Sequence, residues 1–204
     1  MAIHVHKGDL PEGLAFGASI AVDTETLGLH LNRDPLCLVQ ISAGDGDAHL
    51  VQLDRATYNA PRLKALLGDQ QTEKIFHFAR FDLAMLRKWL GIAAMPVYCT
   101  KIAYRLTRTY TDRHGLKDIC RELIGVDLSK QQQSSDWGAA ELSDAQKEYA
   151  ASDVLYLHRL QAVLSERLER ENRMPLARAC FAFLPVRAEL DLAGWADEDI
   201  FAHS

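Results

Sequence analysis

The chain has 204 residues, 48% hydrophobic and 25% charged, with 12 glycines and 6 prolines, so it can bury one sizeable core and has little disordered sequence. Its 23 Lys and Arg against 28 Asp and Glu give a net charge of −5, which argues against a broad surface tracking long duplexes but not against nucleic acid held at a carboxylate-rich site. No apolar run approaches the ~18 residues of a membrane span. The N-terminus has no basic region followed by an apolar one, and Cys37, Cys99, Cys120 and Cys180 form no Cys-x-x-Cys pair; the expectation is a soluble, reduced, cytoplasmic protein, not a membrane, zinc or disulfide-framework one.

In chain order, residues 19–23 (Ser-Ile-Ala-Val-Asp) read as a strand closed by a turn signal at Leu27-Gly28-Leu29. Residues 36–42 and 49–53 read as two more strands around the Gly44-Asp45-Gly46 turn, which predicts an antiparallel meander. Residues 61–67 have helical spacing opened by Pro61, residues 74–78 read as a strand, and 81–90 as a helix before Gly91. From Thr100 onward Ile102, Leu106, Leu116, Ile119, Cys120 and Leu123 imply helices, followed by one long periodic stretch over 143–171. The pattern predicts an α/β fold: a mixed sheet, antiparallel meander plus further strands, flanked by helices, with a helical C-terminal half.

Three features resist a purely structural reading. Asp23 and Glu25, two apart in a strand, share one face at the end of an apolar run, where unpaired charge is costly. Asp82 follows His77-Phe78-Ala79-Arg80-Phe81 at the start of a helix, where a first-turn acid also has a capping explanation. Tyr149 and Asp153 sit four apart on one face of the longest helical stretch. A mid-helix aspartate among apolar neighbours needs a cation; Arg159 is one candidate and a metal ion a better one. Together these supply four carboxylates and a tyrosine, the residue types a two-metal phosphodiesterase requires, because Mg²⁺ prefers carboxylate oxygens with water and phosphate completing its shell.

On Asp23-x-Glu25, Phe81-Asp82 and Tyr149-x-x-x-Asp153, the last within Tyr-Ala-Ala-Ser-Asp-Val-Leu-Tyr-Leu, the sequence resembles the DEDD family of 3′-to-5′ exonucleases. Ser135-Asp136-Trp137 adds to the likeness, which runs from about Asp23 to Leu160. It falls in the ribonuclease D-like branch with Tyr in the last motif; the other branch has His five residues before the last Asp, where this chain has Glu148. His77 lies five before Asp82, but that alignment would leave Tyr149 and Asp153 unused. Phe78 departs from the Asn many relatives carry.

The resemblance implies a ribonuclease H-like fold and a single exonuclease domain over 1–204, without the C-terminal helical domains of larger relatives. It implies two Mg²⁺ or Mn²⁺ ions held by Asp23, Glu25, Asp82 and Asp153, with Asp23 bridging and Tyr149 orienting the attacking water. Within the branch the fit is to the compact group called nano-RNase C. That implies short single-stranded RNA down to dinucleotides as substrate, nucleoside 5′-monophosphates as products, and a ring-like homo-oligomer. Ribonuclease D-like trimming of longer RNA, DNA ends, and a silent RNA-binding or assembly module are the rival readings.

Expected substrate contacts are Leu29, corresponding to a leucine that wedges between terminal bases, the Thr24 backbone, and His77. Arg105 and Arg108, in the most basic stretch of the chain, admit either a solvated helix face or an RNA channel. Lys130, Gln133 and Ser134 are candidates for the rim. The tail over 185–204, with Val186, Leu190, Trp195, Ile200 and Phe201, is expected to cap its own core or dock on another protomer.

Overall fold

The computed structural model describes residues 2–129, 131–132 and 134–203. Six strands, β1 (Ile3–Lys7), β2 (Ser19–Thr26), β3 (Leu36–Ser42), β4 (Ala48–Gln52), β5 (Glu73–Phe76) and β6 (Val97–Cys99), form one sheet in the order β1-β4-β3-β2-β5-β6. The β2-β3-β4 meander is antiparallel, whereas β1 on β4, β5 on β2 and β6 on β5 are parallel. Every residue of β3 is buried, as expected of a central strand covered on both faces.

The expected α/β mixed sheet with a helical C-terminal half is therefore present. The helices are α1 (Pro61–Gly68), α2 (Ala79–Met85, continuing as a wider turn through Leu86–Leu90), α3 (Thr100–Thr107), α4 (Leu116–Ile124), α5 (Asp144–Leu155), α6 (Leu157–Arg170) and α7 (Met174–Leu190). A large core that includes Ile20, Val39, Ile41, Leu63, Leu83 and Leu86 lies on one side of β3. Leu38, Leu50, Trp137, Leu142 and Ala150 form a smaller one beneath α5. The alternation of Leu38 with Val39 places them on opposite faces.

Four details differ from the sequence expectation. The edge strand β1 was not anticipated, because three of its five residues are exposed and three are His or Lys. Nor was β6, three residues long. The stretch over 143–171 is two helices, because Tyr156 leaves helical geometry at φ −108°, ψ −5°. Pro185 does not begin a tail but lies inside α7.

Helix α5 carries its own start signal. Ser143 Oγ accepts from the Gln146 amide at 3.3 Å while Gln146 Oε1 accepts from the Ser143 amide at 2.9 Å, a reciprocal cap worth about 1 kcal/mol. Gln146 Nε2 also donates to the Asp136 carbonyl at 3.1 Å, tying the segment that bears Trp137 to the helix that bears Tyr149 and Asp153. No helix among the described residues is long and apolar enough to cross a membrane.

Candidate active site

A cleft of about 700 Å³ opens where β2, α2 and α5 meet, and Asp23, Glu25, Asp82, Tyr149 and Asp153 all line it. Asp23 and Glu25 alternate with Thr24 along β2, so their side chains leave the same face of the sheet. That face is the one covered by α5. Asp23, Glu25 and Asp153 offer oxygens that all lie within 4.8 Å of one another. Gln40, opposite Asp23 in the β2–β3 register, supplies long amide hydrogen bonds to Asp23 Oδ2 (3.4 Å) and Glu25 Oε1 (3.5 Å).

Asp82 arrives from another direction. The β2–β5 pairing ends at Ala21 and Ile75, and α2 begins just beyond β5, so its first turn lies beside the free edge of β2. Asp82 accepts the Thr24 hydroxyl at 2.6 Å and the Thr24 amide. It is buried and also accepts its own amide, so it ties the first turn of α2, whose N-cap is Phe78, to the strand edge.

The electrostatics follow from burial of like charges. Desolvation, with the neighbouring carboxylates adding to it, pushes Asp23 well above the usual range and Glu25 up to about 9. Desolvation likewise raises Asp82 and Asp153 to about 7 against the hydrogen bonds from Thr24 and Tyr149. Among the described residues no cation contributes to any of these shifts. Arg159, the protein partner considered for Asp153, instead donates to the Ile124 carbonyl at 3.4 Å. A crowded all-oxygen set without a counter-ion among the described residues is the donor chemistry hard divalent cations take, so these residues fit such ions.

Tyr149 donates its hydroxyl to Asp153, and burial plus the carboxylates Asp153, Glu25 and Asp23 raise its pKa further above the ordinary value. Its ring lies 5.9 Å from that of Trp137, which is buried.

Leu29 is 83% exposed at the rim of the cleft. Its loop is held by Asp34, which accepts the His30 amide at 2.8 Å and whose pKa the Arg33 guanidinium pulls down to about 2. Gly28, at φ 127°, is required there because a Cβ would stand 2.2 Å from Asp34 Oδ2. Thr24 also lines the cleft.

His77 lines the cleft with Nδ1 2.9 Å from Thr100 Oγ1, and desolvation, helped by Lys101, pulls its pKa to about 3. Phe78 adopts left-handed geometry (φ 69°), a conformation Asn tolerates better than Phe. Lys101 Nζ sits 4.1 Å from the centroid of its ring.

Arg105 and Arg108 lie outside this cleft, in an adjoining open basin of about 910 Å³ that shares Lys101 and Gly115 with it. Arg108 is already engaged by Glu122 and by the Tyr110 ring. Ser134 is at the cleft wall, whereas Lys130 and Gln133 lie outside the described residues. Gln40 is the site residue that sequence reasoning passed over. Its signal was a lone amide within the otherwise apolar Leu-Cys-Leu-Val-Gln-Ile run, opposite Asp23 once the meander is in register.

A 3′-5′ exonuclease family profile matches residues 9–169. The chain belongs to that family. This exonuclease-family chain is 60% identical to Brucella melitensis NrnC bound to pGG, with a TM-score of 0.96 and all of both chains covered. With Brucella melitensis NrnC with bound Mg²⁺ it shares 59% identity at a TM-score of 0.95, again over all of both chains. Ribonuclease D of Gluconacetobacter diazotrophicus is 33% identical over 165 residues, 81% of this chain and 42% of that protein. The exonuclease-family chain thus spans about two fifths of the length of the curated ribonuclease D relatives it matches first. It is DEDD-type and ribonuclease D-like, and similar to NrnC throughout.

Proposed function

We propose that the protein is a metal-dependent 3′-5′ exoribonuclease that hydrolyses short oligoribonucleotides, down to dinucleotides, to nucleoside 5′-monophosphates. The observation that carries this reading is the convergence of Asp23, Glu25 and Asp153 within 4.8 Å with no cation among the described residues contributing to their shifts. The likeness to a protein bound to pGG and to one with bound Mg²⁺ supports the substrate and the ion. Asp23, Glu25, Asp82 and Asp153 would hold two Mg²⁺ or Mn²⁺ ions. Bound there, such ions polarise the scissile phosphate and lower the pKa of the attacking water.

The chain's own groups do the rest. Tyr149, far from deprotonation, acts as a hydrogen-bond donor and acceptor that orients the water rather than as a base. Leu29 presents an apolar edge to the terminal bases, the Thr24 backbone meets the 3′ nucleotide, and neutral His77 offers a fixed imidazole at the same end. Exposed Leu176, Val186, Trp195, Ile200 and Phe201 support a homo-oligomer, with a ring as the arrangement and the cytoplasm, where short RNA is turned over, as the place of work.

The test is turnover of a labelled 5′-phosphorylated RNA dinucleotide in Mn²⁺, compared with longer RNA and with DNA, using Asp153→Ala as control. Preferential cleavage of the dinucleotide, abolished by Asp153→Ala, supports the reading. Equal turnover across lengths removes the short-RNA claim, and activity unchanged in Asp153→Ala removes the site.

A further inference from the structure

We propose that the Thr24 hydroxyl is a positioning group for Asp82, holding that carboxylate where it would ligate a cation. The inference rests on the metal-dependent reading above and concerns the side chain that holds one of the four acids.

The β2 alternation directs the Thr24 side chain away from the face that carries Asp23 and Glu25. Its hydroxyl therefore lies outside their cluster and turns to Asp82 instead, at 2.6 Å from Oδ1. Both partners are nearly sealed from solvent, Thr24 at 7% and Asp82 at 4% exposure. In such a place a charge-assisted hydrogen bond is strong and its loss is not made good by water.

Asp82 acts on Asp23 more strongly than Asp153 or Glu25 does, yet it is not one of the compact trio. Among the described residues the cluster whose oxygens all approach within 4.8 Å contains Asp23, Glu25 and Asp153 but not Asp82. The free edge of β2 explains its placement. Beyond Ala21 no strand pairs with that edge, and the Thr24 amide and hydroxyl both donate to Asp82. Thr24 thereby fixes the carboxylate, to which the Asp82 amide also donates. Groups that hold a ligand in this way commonly matter 10–100-fold to metal affinity. A valine would keep the shape and the amide contact but release the carboxylate from its hydroxyl donor.

The experiment is Mn²⁺ binding to the intact protein without substrate, read by the electron paramagnetic resonance signal of free Mn²⁺, for wild type, Thr24→Val and Thr24→Ser. The expected result is two sites in wild type and Thr24→Ser. In Thr24→Val the tighter site is unchanged and the weaker one loses affinity about 10–100-fold. Activity in Thr24→Val should then be recovered by raising Mn²⁺, with the KM for RNA unchanged.

Thr24→Ala removes the hydroxyl without adding bulk and gives the same reading should valine fail to fold. In an Asp82→Asn background Thr24→Val should add no further loss, because Thr24 acts through Asp82. Equal affinity for both ions in wild type and Thr24→Val, or equal weakening of both sites, overturns the proposal. Wild type that binds no Mn²⁺ would instead overturn the metal-dependent reading on which it rests.

Discussion

The Tyr149 hydroxyl donates to the carboxylate of Asp153 one helical turn further along α5. The contact is local, made within a helix whose start the Ser143–Gln146 cap fixes, so the tyrosine reaches the carboxylate cluster without help from any distant loop. Tyr149→Phe removes the hydroxyl but keeps the ring against Trp137. Turnover should fall roughly 10²–10⁴-fold, the usual contribution of a positioned proton-handling group. Mn²⁺ affinity should fall no more than a fewfold, and calorimetric titration of the variant checks that separation.

The buried carboxylates repel one another while no cation is bound, so they destabilise the fold they belong to. Asp153→Asn should therefore raise the Tm of the chelator-treated protein, by about 2–4 °C for each kcal/mol of strain relieved, while abolishing activity. Adding Mg²⁺ or Mn²⁺ should raise the Tm of wild type, with ~2.7 kcal/mol gained when the ion is at 100 times its Kd. The same addition should do much less for the variant. Differential scanning fluorimetry with and without EDTA measures both.

Asp191 is buried between two guanidinium groups, Arg80 and Arg187, with Arg80 Nη2 at 2.8 Å and Arg187 Nη2 at 2.7 Å. Arg80 lies two residues before Asp82, so the pair anchors the start of α2 to the C-terminal end of α7. Asp191→Ala should cost about 3–5 kcal/mol, because it leaves cations unpaired rather than replacing them. Urea denaturation of the metal-free protein gives the number directly.

The β1 edge should be acid-sensitive. His6 Nε2 and His49 Nδ1 are 3.0 Å apart, with ring centroids 5.3 Å apart and planes 12° from parallel, a nearly in-line imidazole pair that needs one nitrogen unprotonated. His4 stacks on His49, Phe16 meets its edge, and Asp45 and Asp47 act on it from the β3–β4 turn. Burial, then the positive charge of its neighbours, lowers the pKa of both His6 and His49. The folded pKa lies below the unfolded value of ~6.5, so the folded state takes up fewer protons in that window. Stability present above ~6.5 is lost as pH falls through the folded values. Amide exchange in Ile3–Lys7 should quicken below about pH 6 relative to that in β3, and mass spectrometry at matched intrinsic rates reads it; no difference between the two strands would sink this prediction.

Much of this molecule was legible in its sequence, and the exceptions share physical causes. Asp23, Glu25, Asp82, Tyr149 and Asp153 could be read because each sits in a periodic element, where spacing alone dictates the face. The meander could be read because its strands are apolar and divided by glycine turns. What could not be read depends on contacts between segments remote in sequence. β1 is held by pairing with Ala48–Gln52 rather than by its own composition. Tyr156 breaks an otherwise continuous periodic stretch, and Pro185 is tolerated inside a helix that its own propensity opposes. In the site, the role of Gln40 emerges only once β3 is in register with β2. Arg105 and Arg108 carry the right charge but face a neighbouring basin, which helical spacing alone does not specify.

Four carboxylates from β2, α2 and α5 should hold divalent cations around a phosphodiester. Anomalous diffraction at the manganese edge, from crystals grown with Mn²⁺ and a non-hydrolysable RNA dinucleotide, tests it most directly. Two peaks ~3.5–4 Å apart are expected, both ligated by oxygens from Asp23, Glu25, Asp82 and Asp153. A dinucleotide bound in the cleft with no manganese at these residues would contradict it.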